Sequence, residues 1–478
     1  MPTGGMSSRG RRRLSTWPRL RGSRCGGLVY AASFDLTGSQ ARDILGEVAE
    51  AAGNWAAVAR SNGISQAEVS RFEGTLWHTV DAVRLGREFG SGSESDGTVP
   101  GMGGERLLQF VERPGVLDLG WGHPLPELLP VEEWAEAGAE AARTFGWRGL
   151  AYGRGAGPGP LIDWLAGRGD SGTAAETFVT AGASQGLALV AEVLSRPGDV
   201  VLVEAPTYHL ALRVLADRGV ELVAAPGDAD GVVPEALAER VRQLRGEGRR
   251  VPMLYLVPTF ANPTGRSLPD ARRRELVAVA RREKIMIVED DTYRELSYDG
   301  AAPASLWRLA DKTGVVRLGS FAKTVAPGLR LGWVNAAPGI VDRLADLGFV
   351  DSGGGVNHSI ALTMAVFGQS GAYDRHLSAT KPRYAAQRDA LLSGLPKMEP
   401  PKGGWFVWMP TPAGISADQL LAAAERRGTS FVPGPRFHVD KKGGAGFVRL
   451  SFSHLPPAGL KEAARRLLVA VRDSTAAH

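Results

Sequence analysis

The sequence comprises 478 residues, enough for about two to four domains at roughly 100–200 residues each. It is 44% hydrophobic and 22% charged, values typical of globular proteins, which excludes a largely disordered or fibrous chain. The formal net charge of +5 does not indicate a basic folded body: seven arginines and no acid lie within residues 1–30, and the remaining 49 basic and 51 acidic residues give −2.

The cysteine content and the hydropathy of the sequence indicate in which cellular compartment the protein resides. Cys25 is the single cysteine, which excludes an intramolecular disulfide framework and a multi-cysteine zinc site. The uncharged stretch Ser352–Tyr373 carries five glycines and several polar residues, so it is too polar to span a bilayer. The sequence therefore predicts a cytoplasmic protein with no membrane partner and no metal site.

The N-terminal region divides into a leader and an extension. Residues 1–30 are rich in Arg, Ser and Gly without hydrophobic periodicity, which predicts a disordered basic leader rather than a targeting or nucleic-acid-binding arm. Residues 31–104 predict a helical extension that ends in the Gly/Ser linker Ser91–Gly104. A helix-turn-helix spacing occurs within it, but its second helix, Ser65–Gly74, carries Glu68 and Glu73. Nucleic-acid binding is therefore disfavoured relative to packing or dimerisation.

From about Arg113 onward, short apolar runs alternate with segments of helical periodicity. This alternation predicts an α/β fold with a mostly parallel central sheet and helices on both faces. The predicted strands are Phe178–Thr180, Val200–Val203, Leu222–Ala224, Met253–Val257, Ile285–Val288, Val315–Leu318 and Leu331–Val334.

After about Gly339 the pattern becomes rich in helices. Two strands, near Trp405–Met409 and Phe447–Phe452, and a final helix at Gly459–Arg472 predict a smaller α+β domain. We therefore expect a large domain over residues 151–340 and a small C-terminal domain over residues 341–478.

The segment Thr180–Gly186 contains G-x-S-x-G between a predicted strand and a predicted helix. In a serine hydrolase Ser184 would be the nucleophile of a strand–turn–helix elbow. In a phosphate-binding enzyme the same turn would offer backbone N–H groups at a helix N-terminus to an anion. The motif by itself does not decide between the two.

The segment Gly319–Gly332 places Lys323 in a turn of small residues between two predicted strands, with Arg330 seven residues later. A lysine that forms a Schiff base needs a turn with few bulky side chains, so that a carbonyl cofactor can reach it. This segment resembles the lysine motif of fold-type I pyridoxal 5'-phosphate (PLP) enzymes in the class I/II aminotransferase family. Five further segments resemble that family in the same order: Thr180–Gln185, Glu204–Tyr208, Asn262–Gly265, Glu289–Tyr293 and Arg449–Phe452.

The resemblance runs from about Leu117 to Arg472 and is closest to the 2-aminoadipate and kynurenine aminotransferases. It implies that Lys323 forms the Schiff base and later moves a proton, that Asp290 pairs with the pyridinium nitrogen, and that Tyr208 stacks on the ring. The cofactor-binding residues that it implies are Ala183, Ser184, Tyr208, Asn262, Asp290, Tyr293, Ser320, Lys323 and Arg330, with Tyr152 reaching the phosphate from the other subunit of a homodimer.

The resemblance also implies a substrate end of the site. Arg449 would clamp the α-carboxylate beside Asn262, and residues 105–150 would form a substrate-covering arm that includes Trp121, Gly122 and His123. No arginine lies between Arg113 and Arg143, where some relatives bind a side-chain carboxylate. We therefore expect an aromatic, large apolar or neutral polar substrate side chain.

The function implied by the resemblance is PLP-dependent transfer of an amino group from an amino acid to a 2-oxo acid, through the Lys323 aldimine and a quinonoid intermediate. Two alternatives remain. The same cofactor could serve elimination, replacement or carbon–carbon bond formation in specialised biosynthesis. Alternatively, an aminotransferase-like body behind an N-terminal DNA-binding domain could be a PLP-binding transcription regulator.

Overall fold

The computed structural model describes residues 113–476, which lie within one compact unit, Leu108–His478. The predicted leader, helical extension and linker of residues 1–104 lie outside the described residues. Among residues 113–476, no helix combines the length and the apolarity needed to cross a membrane.

A seven-stranded sheet organises the described chain. Its strands run in the order β2-β10-β9-β8-β7-β3-β4, and all neighbouring pairs are parallel except the two pairs that β10 makes. These strands are β2 Thr177–Thr180, β3 Val200–Val203, β4 Glu221–Ala224, β7 Met253–Leu256, β8 Met286–Asp290, β9 Val315–Ser320 and β10 Gly332–Asn335. The predicted mostly parallel α/β fold is confirmed, and each predicted strand is present.

The sheet is covered on both faces, which the continuous apolar run of β3 illustrates. In β3, Val201 and Val203 pack into one hydrophobic core, whereas Val200 and Leu202 pack into the core on the opposite face. Successive side chains of a strand point to opposite faces, so continuous apolar runs require helices on both sides.

Twelve helices belong to the described residues. They are α1 Val131–Phe145, α2 Gly159–Ala166, α3 Ala183–Leu194, α4 His209–Ala216, α5 Pro234–Gly246, α6 Asp270–Arg282, α7 Leu306–Leu309, α8 Pro338–Ala345, α9 His358–Gln369, α10 Ala372–Leu392, α11 Ala417–Arg426 and α12 Pro457–Ala476. The last of them extends the predicted helix Gly459–Arg472 by a few residues at each end.

Smaller sheets complete the fold. Strands β11 Phe406–Pro410, β14 Phe447–Ser451 and β13 Val432–Pro433 form an antiparallel sheet in that order. The predicted arm is tied to this part of the chain, because β1 Leu117–Asp118 pairs in parallel with β12 Thr429–Ser430. Strands β5 Gly227–Asp228 and β6 Gly231–Val232 form a short hairpin. The division into arm, large domain and small domain stays a prediction.

Register aligns the ends of three strands at one edge of the large sheet. Gly332 at the start of β10 lies opposite both Ser320 at the end of β9 and Thr180 at the end of β2. The turn that follows β9 and the turn that follows β2 therefore emerge side by side. In open α/β sheets, ligands bind at this carboxyl edge.

Candidate active site

Lys323 follows β9 in the turn that leads to β10, and its amine faces the start of the arm. Its Nζ donates to the Gly122 carbonyl oxygen at 3.2 Å and lies 4.7 Å from the centre of the Trp405 ring. Burial, followed by the positive charge of Arg449, lowers the pKa of Lys323 to about 8. Because a lysine acts as a nucleophile only when neutral, this environment prepares the amine for attack on a carbonyl.

Asp290 ends β8, next to β9 in the sheet, and only 7% of its surface is exposed. Its Oδ2 accepts a hydrogen bond of 2.8 Å from the Tyr255 hydroxyl, whereas its Oδ1 is buried without a hydrogen-bond partner among the described residues. Burial raises the pKa of Asp290. A buried carboxylate oxygen without a donor indicates a missing cationic or N–H partner.

An anion cradle lies at the end of β2. Helix α3 begins at Ala183, so the first N–H groups of Ala183 and Ser184 have no partner within the helix and can bind an anion. Arg330 lies over the preceding turn, where its Nη2 donates to the Ala181 carbonyl oxygen at 3.3 Å. Gly182 has φ +96°, and a Cβ there would lie 2.8 Å from Nη2 of Arg330. A side chain at this position would therefore fill the cradle.

Ser320 and Ser184 differ in their surroundings. Ser320 is buried at the end of β9, and its Oγ accepts from the Ala322 backbone N–H at 3.1 Å. Ser184 is exposed in the first turn of α3, beside the cradle formed with Arg330. This position suits a hydroxyl that binds an anion.

Arg449 lies on β14 and crosses to the large sheet. Its Nη1 donates to Asn262 Oδ1 at 3.0 Å, and its Nη2 donates to the Gly120 carbonyl oxygen at 2.6 Å. The guanidinium carbon lies 4.3 Å from the centre of the Phe406 ring, and Nε is buried without a hydrogen-bond partner. Burial lowers the pKa of Arg449 to about 10, which still leaves it cationic near neutral pH.

Two tyrosines flank the space between these charges. Burial, followed by the charge of Asp290, raises the pKa of Tyr208 to about 12. Burial also raises the pKa of Tyr293, whose ring centre is 5.8 Å from Nζ of Lys323. Both hydroxyls therefore remain neutral near neutral pH and can donate hydrogen bonds.

The arm carries two aromatic rings next to Gly122 in the sequence. The rings of Trp121 and His123 meet edge to face at 5.6 Å, and His123 lies 6.4 Å from the ring of His454. The His123 carbonyl oxygen accepts from Ser453 Oγ at 2.7 Å, which attaches the arm to the segment after β14. Trp121 and His123 thus lie on either side of Gly122, the residue that contacts Lys323.

Tyr152 lies at the protein surface. It is 92% exposed and lines a groove of about 290 Å³ formed by residues 149–155, Val350, Gly353 and residues 355–359. Leu150 and Phe349 beside this groove are also exposed. Exposed apolar side chains clustered around a groove are typical of a protein interface.

Sequence reasoning missed several contacts. Tyr255 was not among the predicted site residues, although its hydroxyl contacts Asp290. The backbone carbonyl of Gly120 and the ring of Trp405 were also absent from the prediction. Tyr255 could have been found from its position near the end of a strand, since the carboxyl ends of neighbouring parallel strands share one edge.

Comparison with known proteins decides the family. A profile of the family "Aminotransferase class I and II" matches residues 114–467. This chain belongs to that family. As a family member, it is a PLP-dependent aminotransferase, as the resemblance of its motifs predicted.

Three relatives illustrate the likeness. This aminotransferase is 33% identical to aromatic-amino-acid aminotransferase 1 of Thermococcus litoralis over 77% of its own length and 90% of that protein. It is 34% identical to the 2-aminoadipate transaminase of Thermus thermophilus, over 76% and 91% of the two chains. The crystal structure of α-aminoadipate aminotransferase LysN from Thermus thermophilus, complexed with N-(5'-phosphopyridoxyl)-L-leucine, superposes with a TM-score of 0.69, at 32% identity, over 76% and 94% of the two chains.

The residues at the carboxyl edge of the sheet fit PLP. The cradle between Gly182 and Arg330 suits a phosphate, and the buried Oδ1 of Asp290 lacks the donor that a protonated pyridine nitrogen would supply. The amine of Lys323, with its pKa lowered to about 8, suits an aldehyde.

Proposed function

We propose that this aminotransferase holds PLP between Lys323, Asp290 and the Arg330 cradle and uses it to transaminate an amino acid with an aromatic or large apolar side chain. The observation that carries the proposal is the unpartnered Oδ1 of Asp290, buried at the same sheet edge as the partly desolvated Lys323. Two further features of the arm and of Arg449 support the choice of substrate.

Each residue at the edge has a task set by its chemistry. When bound, PLP supplies an electron-withdrawing ring that stabilises negative charge at the substrate Cα. Lys323 would hold the aldehyde carbon of the cofactor, and its amine would carry a proton to and from the substrate Cα. Asp290 keeps the ring nitrogen protonated, because an anionic oxygen stabilises the cation.

The remaining groups bind and orient. The N–H groups of Ala183 and Ser184, the hydroxyl of Ser320 and the guanidinium of Arg330 hold the phosphate. Asn262 and Tyr293 hydrogen-bond the phenolic oxygen of the ring. The ring of Tyr208 would stack on the cofactor ring and exclude water from it.

Arg449 is proposed to bind the substrate α-carboxylate. Its guanidinium is fixed by Asn262 and the Gly120 carbonyl, so its planar donors are oriented before a substrate arrives. A planar fork matches the two oxygens of a carboxylate, and its prior fixation lowers the entropic cost of binding.

The arm is proposed to select the substrate side chain. Trp121 and His123 flank Gly122 at the site, and rings of this kind favour an aromatic or apolar partner. The rings of Phe406 and Phe437, which pack against the guanidinium of Arg449, add further apolar surface. An arginine suited to a side-chain carboxylate is absent between Arg113 and Arg143.

We further propose a cytoplasmic homodimer. The exposed Leu150, Tyr152 and Phe349 around one groove support a subunit interface there, and Tyr152 would then reach the phosphate of the second subunit. The single cysteine supports a reducing compartment. Sedimentation should give at least a dimer, and a fully active monomer would contradict the proposal.

Borohydride reduction of the purified protein, followed by peptide mapping, tests the cofactor site. We expect the pyridoxyl group on Lys323, and a label on any other lysine would overturn the assignment. A fluorophosphonate probe should leave Ser184 unlabelled in active protein, because Ser184 is proposed to bind phosphate and not to act as a nucleophile. Incubation with a panel of amino acids and mass spectrometry of the products then separates transamination from elimination or bond formation.

A further inference from the structure

We infer that Tyr255 is a positioning residue that acts on the cofactor's ring nitrogen through Asp290. The Tyr255 hydroxyl donates to Oδ2 of Asp290 at 2.8 Å, whereas Oδ1 is buried without a hydrogen-bond partner among the described residues. Thr292, two residues further along the chain, also stabilises the charged carboxylate. Tyr255 does not itself reach the ligand space, because none of its surface is exposed. The inference rests on the proposed role of Asp290.

Sheet register makes this contact a fixed feature of the fold. Tyr255 on β7 lies opposite Val288 on β8, and Asp290 is two residues further along β8. In neighbouring strands, opposed residues and residues two positions away share a face, and long aromatic side chains reach this diagonal neighbour. Both strands are buried in the middle of the sheet, so the tyrosine cannot turn away without disturbing the core.

The hydroxyl has one chemical task in this position. Burial, followed by the charge of Asp290, raises the pKa of Tyr255 well above its ordinary value, so the hydroxyl remains a donor across the working pH range. A donor on Oδ2 stabilises the carboxylate in its anionic form and fixes the plane of the group. Tyr255 thereby counteracts the effect of burial on the pKa of Asp290 and would leave Oδ1 to pair with a cationic ring nitrogen.

The test uses the whole apoprotein with two probes: PLP and its 1-deaza analogue, in which a CH group replaces the ring nitrogen. Dissociation constants are measured by quenching of tryptophan fluorescence for the original protein and for Tyr255→Phe. We expect the variant to lose about tenfold or more in PLP affinity, the low end for a hydrogen bond to a charged group. Its affinity for the analogue should be unchanged, because the analogue has no nitrogen for Asp290 to bind.

Tyr298→Phe is the matched control. Tyr298 is partly buried, and its hydroxyl donates to the Gly404 carbonyl oxygen and not to Asp290. This variant should bind both probes like the original protein. Equal losses of affinity for PLP and for the analogue in Tyr255→Phe would reduce Tyr255 to a packing residue and overturn the inference, as would an unchanged PLP affinity.

A second variant covers the case in which Tyr255→Phe does not fold. Site-specific 4-aminophenylalanine at position 255 keeps the ring and an N–H donor, so the ratio of the two affinities should remain that of the original protein. If the protein with 4-aminophenylalanine folded but no longer bound PLP more tightly than the analogue, the inference would be refuted. If the original protein bound neither probe at Lys323, the proposed cofactor site itself would fail, which is a different result.

Discussion

Replacement of Arg449 by lysine tests whether the proposed carboxylate clamp depends on the planar shape of the guanidinium or only on its positive charge. Arg449 uses Nη1 on Asn262 and Nη2 on the Gly120 carbonyl, and the plane set by these two bonds fixes the fork. Lysine keeps the positive charge but offers a single point donor on a flexible stem. Arg449→Lys should therefore keep long-range attraction for a carboxylate and lose one of two parallel hydrogen bonds.

The expected loss follows from the strength of such a bond. One hydrogen bond to a charged group contributes about 1.5–3 kcal/mol, which corresponds to roughly 10- to 150-fold in kcat/KM for an amino acid. The loss should lie at the upper end, because Asn262 Oδ1 is buried and would lose its donor.

The assay compares kcat/KM for Arg449→Lys and for Arg436→Lys with the same amino acids. Arg436 is exposed in the short turn Gly434–Phe437, so the same chemical change there should leave kcat/KM unaltered. Cofactor content, read from the absorption spectrum after reconstitution, should be the same in both variants. If the two variants had equal kcat/KM, the carboxylate clamp at Arg449 would have to be abandoned.

Three further predictions address the other parts of the site. The rate of PLP attachment to apoprotein should rise with pH and level off above about pH 8, since Lys323 attacks only as the neutral amine and burial lowers its pKa to about 8. Rapid-mixing absorbance measures this rate, and a rate independent of pH between 6.5 and 9 would contradict the prediction. Gly182→Ala should weaken PLP binding and destabilise the fold by about 1–3 kcal/mol, because φ +96° strains an alanine and its Cβ would meet Arg330. Gly328→Ala is its control, since a Cβ there meets nothing within 4 Å, and equal melting temperatures for the two variants would count against the cradle. Trp121→Ala should raise KM for aromatic amino acids more than for alanine, and steady-state kinetics with glutamate as the best donor of the original protein would overturn the substrate preference.

The sheet and its edge could be predicted because they follow from local patterns. Runs such as Val200–Val203 are apolar at every position, and that pattern indicates a strand covered on both faces. Lys323 and Asp290 each follow an apolar run of this kind. In a parallel sheet the carboxyl ends of the strands share one edge, so the sequence alone predicts that both residues lie at that edge. The catalytic and binding roles of these residues came from the resemblance to the family motifs, because residue spacing alone does not indicate them.

The contacts that the sequence did not reveal depend on long-range packing. The Gly122 carbonyl meets Lys323 across 201 residues, and Gly120 meets Arg449 across 329 residues. Backbone carbonyls carry no sequence signal, because every residue has one. Tyr255 required knowledge that β7 is the neighbour of β8, and strand order within a sheet is not encoded in a strand's own residues.

The arm contacts both cations of the proposed site through two backbone carbonyl groups. Gly120 and Gly122 already accept hydrogen bonds from Arg449 and Lys323, the two cations proposed to meet substrate and cofactor. The Gly122 carbonyl competes with an incoming aldehyde for Lys323, whereas the Gly120 carbonyl orients Arg449 for a carboxylate, so the arm acts on the binding of both ligands. A change that displaces Gly120 or Gly122 would therefore alter the binding of every ligand at once, whereas a change at Trp121 or His123 would alter it for one class of substrate side chain. Variation in the arm is thus a means of broadening the range of substrates without altering the groups that perform the chemistry.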